Sequence, residues 1–146
     1  MAYVGLSEIM AEVEALLRGT GLFRLVTRAA ITGAETLYVM LPALTVTPAA
    51  IVNVPQQNIV NPGWRELGLE IIVVDVFQPV DAEAKADSAC ALLDAALAVL
   101  SAGSPGTALA LACGAHLMPE GITALAVQSD HSAWLMECRI KAPLTG

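Results

Sequence analysis

The side chains of this 146-residue chain with most capacity for chemistry are two histidines, His116 and His131, and three cysteines, Cys90, Cys113 and Cys138. None has the company that catalysis or metal binding requires. A zinc-type site draws further Cys, His, Asp or Glu at tight spacing, and His131 has only Asp130 beside it. The cysteines are scattered, odd in number and form no C-x-x-C, a usage that points to a cytoplasmic origin. They read as free thiols buried in Ala-rich elements. Cys113 and His116 could in principle form a nucleophile and its base, but Cys113 lies in an apolar run with no cation to lower its pKa. Asp75 stands among valines, where a lone carboxylate reads better as a strand-end partner of an arginine than as a general base. No H-E-x-x-H or G-x-S-x-G occurs, and Gly103-Ser104-Pro105-Gly106 lacks the lysine and following helix of a phosphate loop. The sequence thus predicts no catalytic residue, no metal and no cofactor.

Composition points elsewhere. Only 14% of residues are charged and 56% are hydrophobic, against roughly 25% and 45–50% in an average domain. A chain this short has much surface for its volume, so it must enter a membrane or share apolar surface with other subunits. The charge-free run from Thr36 to Trp64 contains Pro42, Pro48, Pro55 and Pro62 and a polar patch, which a spanning helix does not tolerate. The first residues do not read as a signal peptide. Assembly is therefore the expectation, with no membrane partner. The formal charge of −7 and the absence of any basic stretch disfavour grip on nucleic acid.

The elements follow from periodicity. Ile9, Val13, Leu16 and Leu17 predict an amphipathic helix over 7–18, capped by Ser7, with Glu14 and Arg18 four apart. Leu22–Arg28 reads as a strand or a turn into one, Leu37–Leu41 as a short strand, and Ala49–Val54 as a strand framed by prolines. Pro55–Gly63 reads as an uncharged polar loop. Trp64–Phe77 is the strongest strand: Leu67, Leu69, Ile71 and Val73 alternate with Glu66, Gly68 and Glu70, and both faces turn apolar from Ile71. Asp81 caps a helix over 82–100 whose core stripe is Ala89, Leu92, Leu93, Ala96, Leu97 and Leu100. Thr107–Cys113 reads as a strand and Gly114–Gly121 as a loop. Ile122–Ser129 and Ala133–Lys141 read as a hairpin around Asp130-His131-Ser132. The sum is one α+β domain over residues 1–146: an antiparallel sheet with two helices packed against it.

Three sets of residues stand out as contact surfaces. Ala91, Ala95 and Ala98 lie opposite the leucines, where a solvated helix carries Glu and Lys; helix propensity explains them, and so does close packing on a neighbouring subunit. Gln56, Gln57, Asn58, Ile59 and Val60 form a loop that either projects to a partner or tucks Ile59 inward. Glu66, Glu70 and Glu137 lie on the polar sides of their strands, where acids keep an apolar protein in solution.

The opening helix, the proline-framed strand Ala49–Val54, Trp64-Arg65-Glu66 leading the long strand, Pro79 and Asp81 before the Ala/Leu helix, and the closing strands to Lys141 follow one another in a characteristic order. In this order, over essentially the whole chain, the sequence resembles the tail terminator (tail-completion) proteins of long-tailed bacteriophages. The resemblance implies a structural virion protein with no catalytic residues. Copies would form a ring, usually a hexamer, on the last ring of tail-tube protein, in the tail or neck of a virion assembled in the host cytoplasm. The ring would end tube polymerisation, present a surface to the head-tail connector protein and let DNA through without binding it, past an acidic or neutral channel wall to which Glu66, Glu70 and Glu137 would contribute. Two alternatives share the composition: a connector, neck or tube-subunit protein, and, from another class, a small enzyme or ligand-binding domain using Cys113 and His116.

Overall fold

The computed structural model describes residues 2–31, 39–40, 43–55, 57–76, 82–104, 106–125 and 131–145. In chain order the elements are β1 (Ala2–Tyr3), α1 (Leu6–Arg18), β2 (Leu25–Ala29), β3 (Ala49–Asn53), β4 (Gln57–Asn61), β5 (Trp64–Val76), α2 (Ala82–Leu100), β6 (Leu109–Ala110), β7 (His116–Leu125) and β8 (His131–Thr145). All eight strands join one sheet of order β2-β3-β5-β8-β7-β6, with β1 on β8 and β4 on β5. The architecture is α+β and the sheet mostly antiparallel, as expected. It is nevertheless mixed, because β2 runs parallel to β3.

The β5–β8 ladder is the spine. It pairs every residue from Trp64↔Pro143 to Val76↔His131. Alternation sends Leu67, Leu69, Ile71 and Val73 of β5, with Met136, Cys138 and Ile140 of β8, to one face. Both helices cover that face: Ile9, Met10, Val13 and Leu17 of α1 and Leu92, Ala96 and Leu100 of α2 are buried in the same cluster. The opposite face is apolar only at its upper end, where Ile51, Ile72, Val74 and Ala133 are buried with Ile31 and flanked by Met40 and Leu44. Buried Asn53 anchors this second cover: its Oδ1 accepts from the Ile31 N–H at 2.7 Å and its Nδ2 donates to the Ile31 carbonyl at 2.9 Å. Below it, the outer face stays open.

Several boundaries differ from the sequence reading, each for a physical reason. The N-cap of α1 is Gly5, without a side-chain cap bond, so Ser7 lies inside the helix. Val39 and Met40 are helical where a strand was expected; the rest of that segment lies outside the described residues, as do Pro79, the Asp81 cap and Asp130. The polar segment after Pro55 is a hairpin arm. β4 pairs with β5 from Gln57↔Gly68 to Asn61↔Trp64, closed by Pro62 and by Gly63 at φ +91°, the positive φ that such a turn reserves for glycine. β6 spans only Leu109–Ala110 of the expected strand, and β7 begins at His116, inside the expected loop, with a register shift between Pro119 and Gly121. Asp75 sits at a strand end as expected, but its partner is Lys85, at 3.6 Å.

Truncating the spine should be costly. Leu69 is buried in the core cluster to which both helices contribute, so Leu69→Ala should cost about 2–5 kcal/mol. Met118→Ala, on the open face, should stay within about 0.5 kcal/mol. Urea denaturation of the two variants checks the contrast.

Candidate subunit-contact surfaces

α2 presents the expected uncharged side. Ala84, Ser88, Ala91 and Ala98 are exposed and Ala95 is half-buried, while Ala89, Leu92, Ala96 and Leu100 face the core. Ser88 and Ala91 line a groove of about 550 Å³ with Leu22, Arg24 and Pro48, so the stripe runs on into the start of β2. This continuity is invisible from the helix sequence, because it depends on where β2 meets α2.

β4 projects rather than tucking inward. Ile59 and Val60 are 51% and 56% exposed; Gln57 and Asn58 are exposed beside them, and Gln56 lies outside the described residues. Among the described residues β4 pairs with β5 only, leaving its other edge open. β7 is similar from Met118 to Leu125, where it pairs with β8 alone; β6 reaches only Leu117 and His116. An open, uncharged strand edge is a template for pairing that monomeric proteins normally block with lysine or proline. β4 carries neither, whereas β7 is guarded in part by Pro119, by Glu120 and by the bulge between Pro119 and Gly121.

The three glutamates come together. Glu66 and Glu70 of β5 and Glu137 of β8 share the open face, where they line one shallow depression with Gln57, Ile59, Glu120 and Arg139. Arg139 bridges Glu66 and Glu120. Glu120 and then Glu66 hold that guanidinium in its charged form and push its pKa up. Glu70 and Glu137 are directly opposite in the ladder and have no ion-pair partner among the described residues. Like charges at such a position repel. Glu120 was not foreseen, because the bulge that places it lies in a segment that read as a loop. Among the described residues no group of His, Cys, Asp or Glu is arranged to hold a metal ion.

Among the described residues no hydrogen bond joins Cys113 to His116. Cys113 lies in the turn between β6 and β7, and its N–H donates to Glu12 of α1 at 3.2 Å, beside that of Ala112 at 2.7 Å. Burial, then its hydrogen bond to Glu12, pushes the Cys113 thiol up, away from the thiolate a nucleophile needs. His116 is exposed and opposite Lys141. Cys138 is buried and pushed up to about 12 by that burial. His131 opens β8 opposite Val76, its Nε2 3.1 Å from the Leu44 carbonyl oxygen.

Two outcomes follow. Ala95→Glu puts a charge into the middle of the small-residue side; the folded domain should persist while self-association weakens, because an unpaired charge in a close contact is costly. Light scattering beside circular dichroism separates the two, and undiminished association would reduce the stripe to helix propensity. The second concerns Glu12. Burial tends to raise its pKa, but bonds from Cys113 and Ala112 outweigh this and lower it. A depressed carboxylate stabilises above its unfolded pKa, about 4.3, and loses that effect as pH falls through the folded value. Glu12→Ala should therefore cost roughly 0.5–1 kcal/mol at pH 7, and the gap from the wild type should close below about pH 4 in denaturation series.

Compared with known proteins, the chain matches no family model and no curated sequence.

Proposed function

We propose that this chain is a ring-forming virion protein that caps a phage tail tube, ends its polymerisation and offers the surface to which the head-tail connector joins. The observation that carries the reading is the coincidence of three exposed, weakly charged surfaces on one small domain: the α2 stripe, the β4 arm and the outer edge of β7, whose one charged side chain beyond Met118, Glu120, is held by Arg139. A domain that worked as a monomer would gain nothing from leaving them unprotected. Self-association covers them and accounts for the low overall charge. The order of elements that resembles tail terminators supplies the particular assembly. The unpaired carboxylates Glu70 and Glu137 suit a wall past which DNA moves, since they repel phosphate. No helix among the described residues is long and apolar enough to cross a membrane.

The test is genetic and morphological. A phage lacking the chain should yield filled heads and unjoined tails of irregular length, and purified protein added to the lysate should restore joining. Joined tails of normal length without it would contradict the reading. Tubes formed by the isolated chain would make it a tube subunit instead. Binding to duplex DNA at low salt should be undetectable; tight, salt-sensitive binding would remove the DNA-repelling wall.

A further inference from the structure

The charges of this domain are segregated in a way that one copy cannot resolve. At the β2 end of the sheet a single buried carboxylate, Glu14, serves two guanidiniums, Arg18 at 3.4 Å and Arg28. Arg18 also donates to the Val26 carbonyl on β2 at 3.1 Å. Arg24, exposed in the turn before β2, has no side-chain partner among the described residues. This rim carries an excess of positive charge. Towards the β7 end the situation is inverted. A single guanidinium, Arg139, serves two carboxylates, Glu66 and Glu120, while Lys141, opposite Glu66, lies over the Trp64 ring; two more carboxylates, Glu70 and Glu137, have no ion-pair partner among the described residues. The strand order β2-β3-β5-β8-β7 separates the two patches across the sheet.

We propose that the rim of Arg18, Arg24 and Arg28 on one copy docks against the open face bearing Glu66, Glu70, Glu120 and Glu137 on the next, a head-to-tail contact between copies of this chain. The inference deepens the ring reading and rests on its self-association, not on the tail tube. Charge complementarity names the occupant: the excess on each patch is the deficit of the other. The surroundings fit a contact that excludes water. Arg24 borders the groove with Leu22, Ala91 and the Asp75–Lys85 pair, and the acidic patch is edged by exposed Ile59 and, opposite Arg139, by exposed Met118. Because the two patches differ, the contact is heterologous, and its repetition closes into a ring or runs on as a filament.

Complementary charge reversal tests it. Arg24→Glu cancels the excess charge of the rim and Glu137→Arg removes most of that of the face; both side chains are exposed, so both variants should fold with near wild-type melting curves. In sedimentation velocity at low salt the wild type should associate, and more weakly as salt is added. Each variant alone should associate about tenfold or more weakly, because the attraction between rim and face is lost and the substituted residue meets a like charge. An equimolar mixture should recover association, since alternating copies restore an attractive contact at every junction, and the double variant should recover it in one chain. A wild type that stays monomeric at millimolar concentration and low salt overturns the proposal. So do single variants that associate normally, or a mixture that does no better than its parts. Should either variant fail to fold, the salt dependence of the wild type still decides: association that is indifferent to salt overturns the contact. Charge-dependent association without tail capping would leave this contact standing and remove the tail reading; capping indifferent to these charges would do the reverse.

Discussion

The β5–β8 ladder is the constraint from which the rest of the molecule follows. Because it pairs every residue of β5, the side-chain alternation of two strands is locked together along the whole spine. A slip of one residue would exchange Leu67 and Leu69 for Glu66 and Glu70 in the core. With the register fixed, the leucine face must be covered, and α1 and α2 cover it. The other face is divided. Its upper end is apolar and capped by the segment that Asn53 anchors, and its lower end is acidic and open. The surfaces proposed as contacts are what this spine leaves uncovered.

Three features that look unrelated in sequence become one problem in the fold. Ala91 and Arg24 are far apart in the chain and line one groove. Ile59 pairs with Glu66 in the β4–β5 hairpin, so the projecting arm and the acidic face are neighbours. The repelling pair Glu70 and Glu137 sits where a cation from elsewhere would be welcome. On the proposed reading, a small, weakly charged domain of this kind is completed by its neighbours. Copies that meet through unlike patches extend in one direction, as a ring that caps a tube requires.

Periodicity made the long elements legible. β5 was readable because leucines alternate with Glu66, Gly68 and Glu70 and then both faces turn apolar, and α2 because its leucines recur at helical spacing. The shared face of Glu66 and Glu70 came from the same alternation, and the exposed Ala91 and Ala98 from the same wheel. Four things were not legible. β4 was hidden because Gln57-Asn58-Ile59-Val60-Asn61 is polar enough to pass for a loop, and its strand character comes from the partner β5. β7 was half lost because its bulge at Pro119–Gly121 breaks the alternation on which the eye depends. The parallel β2–β3 pair is a tertiary choice with no local signal. The two-for-one sharing at Glu14 and Arg139 joins residues 14 and 28, and 66, 120 and 139, which only the folded register brings together.

Hydrogen exchange tests the central claim most directly, by comparing the chain in dilute solution with the chain assembled on tail tubes. The account predicts that the amides of β4 around Ile59–Val60 and of β7 around Gly121–Ala124 exchange rapidly in dilute solution and become protected on assembly. The β5–β8 spine should be protected in both states. If the chain remains on the tubes while both edges exchange as rapidly as in dilute solution, these surfaces are not where copies meet, and the account is contradicted.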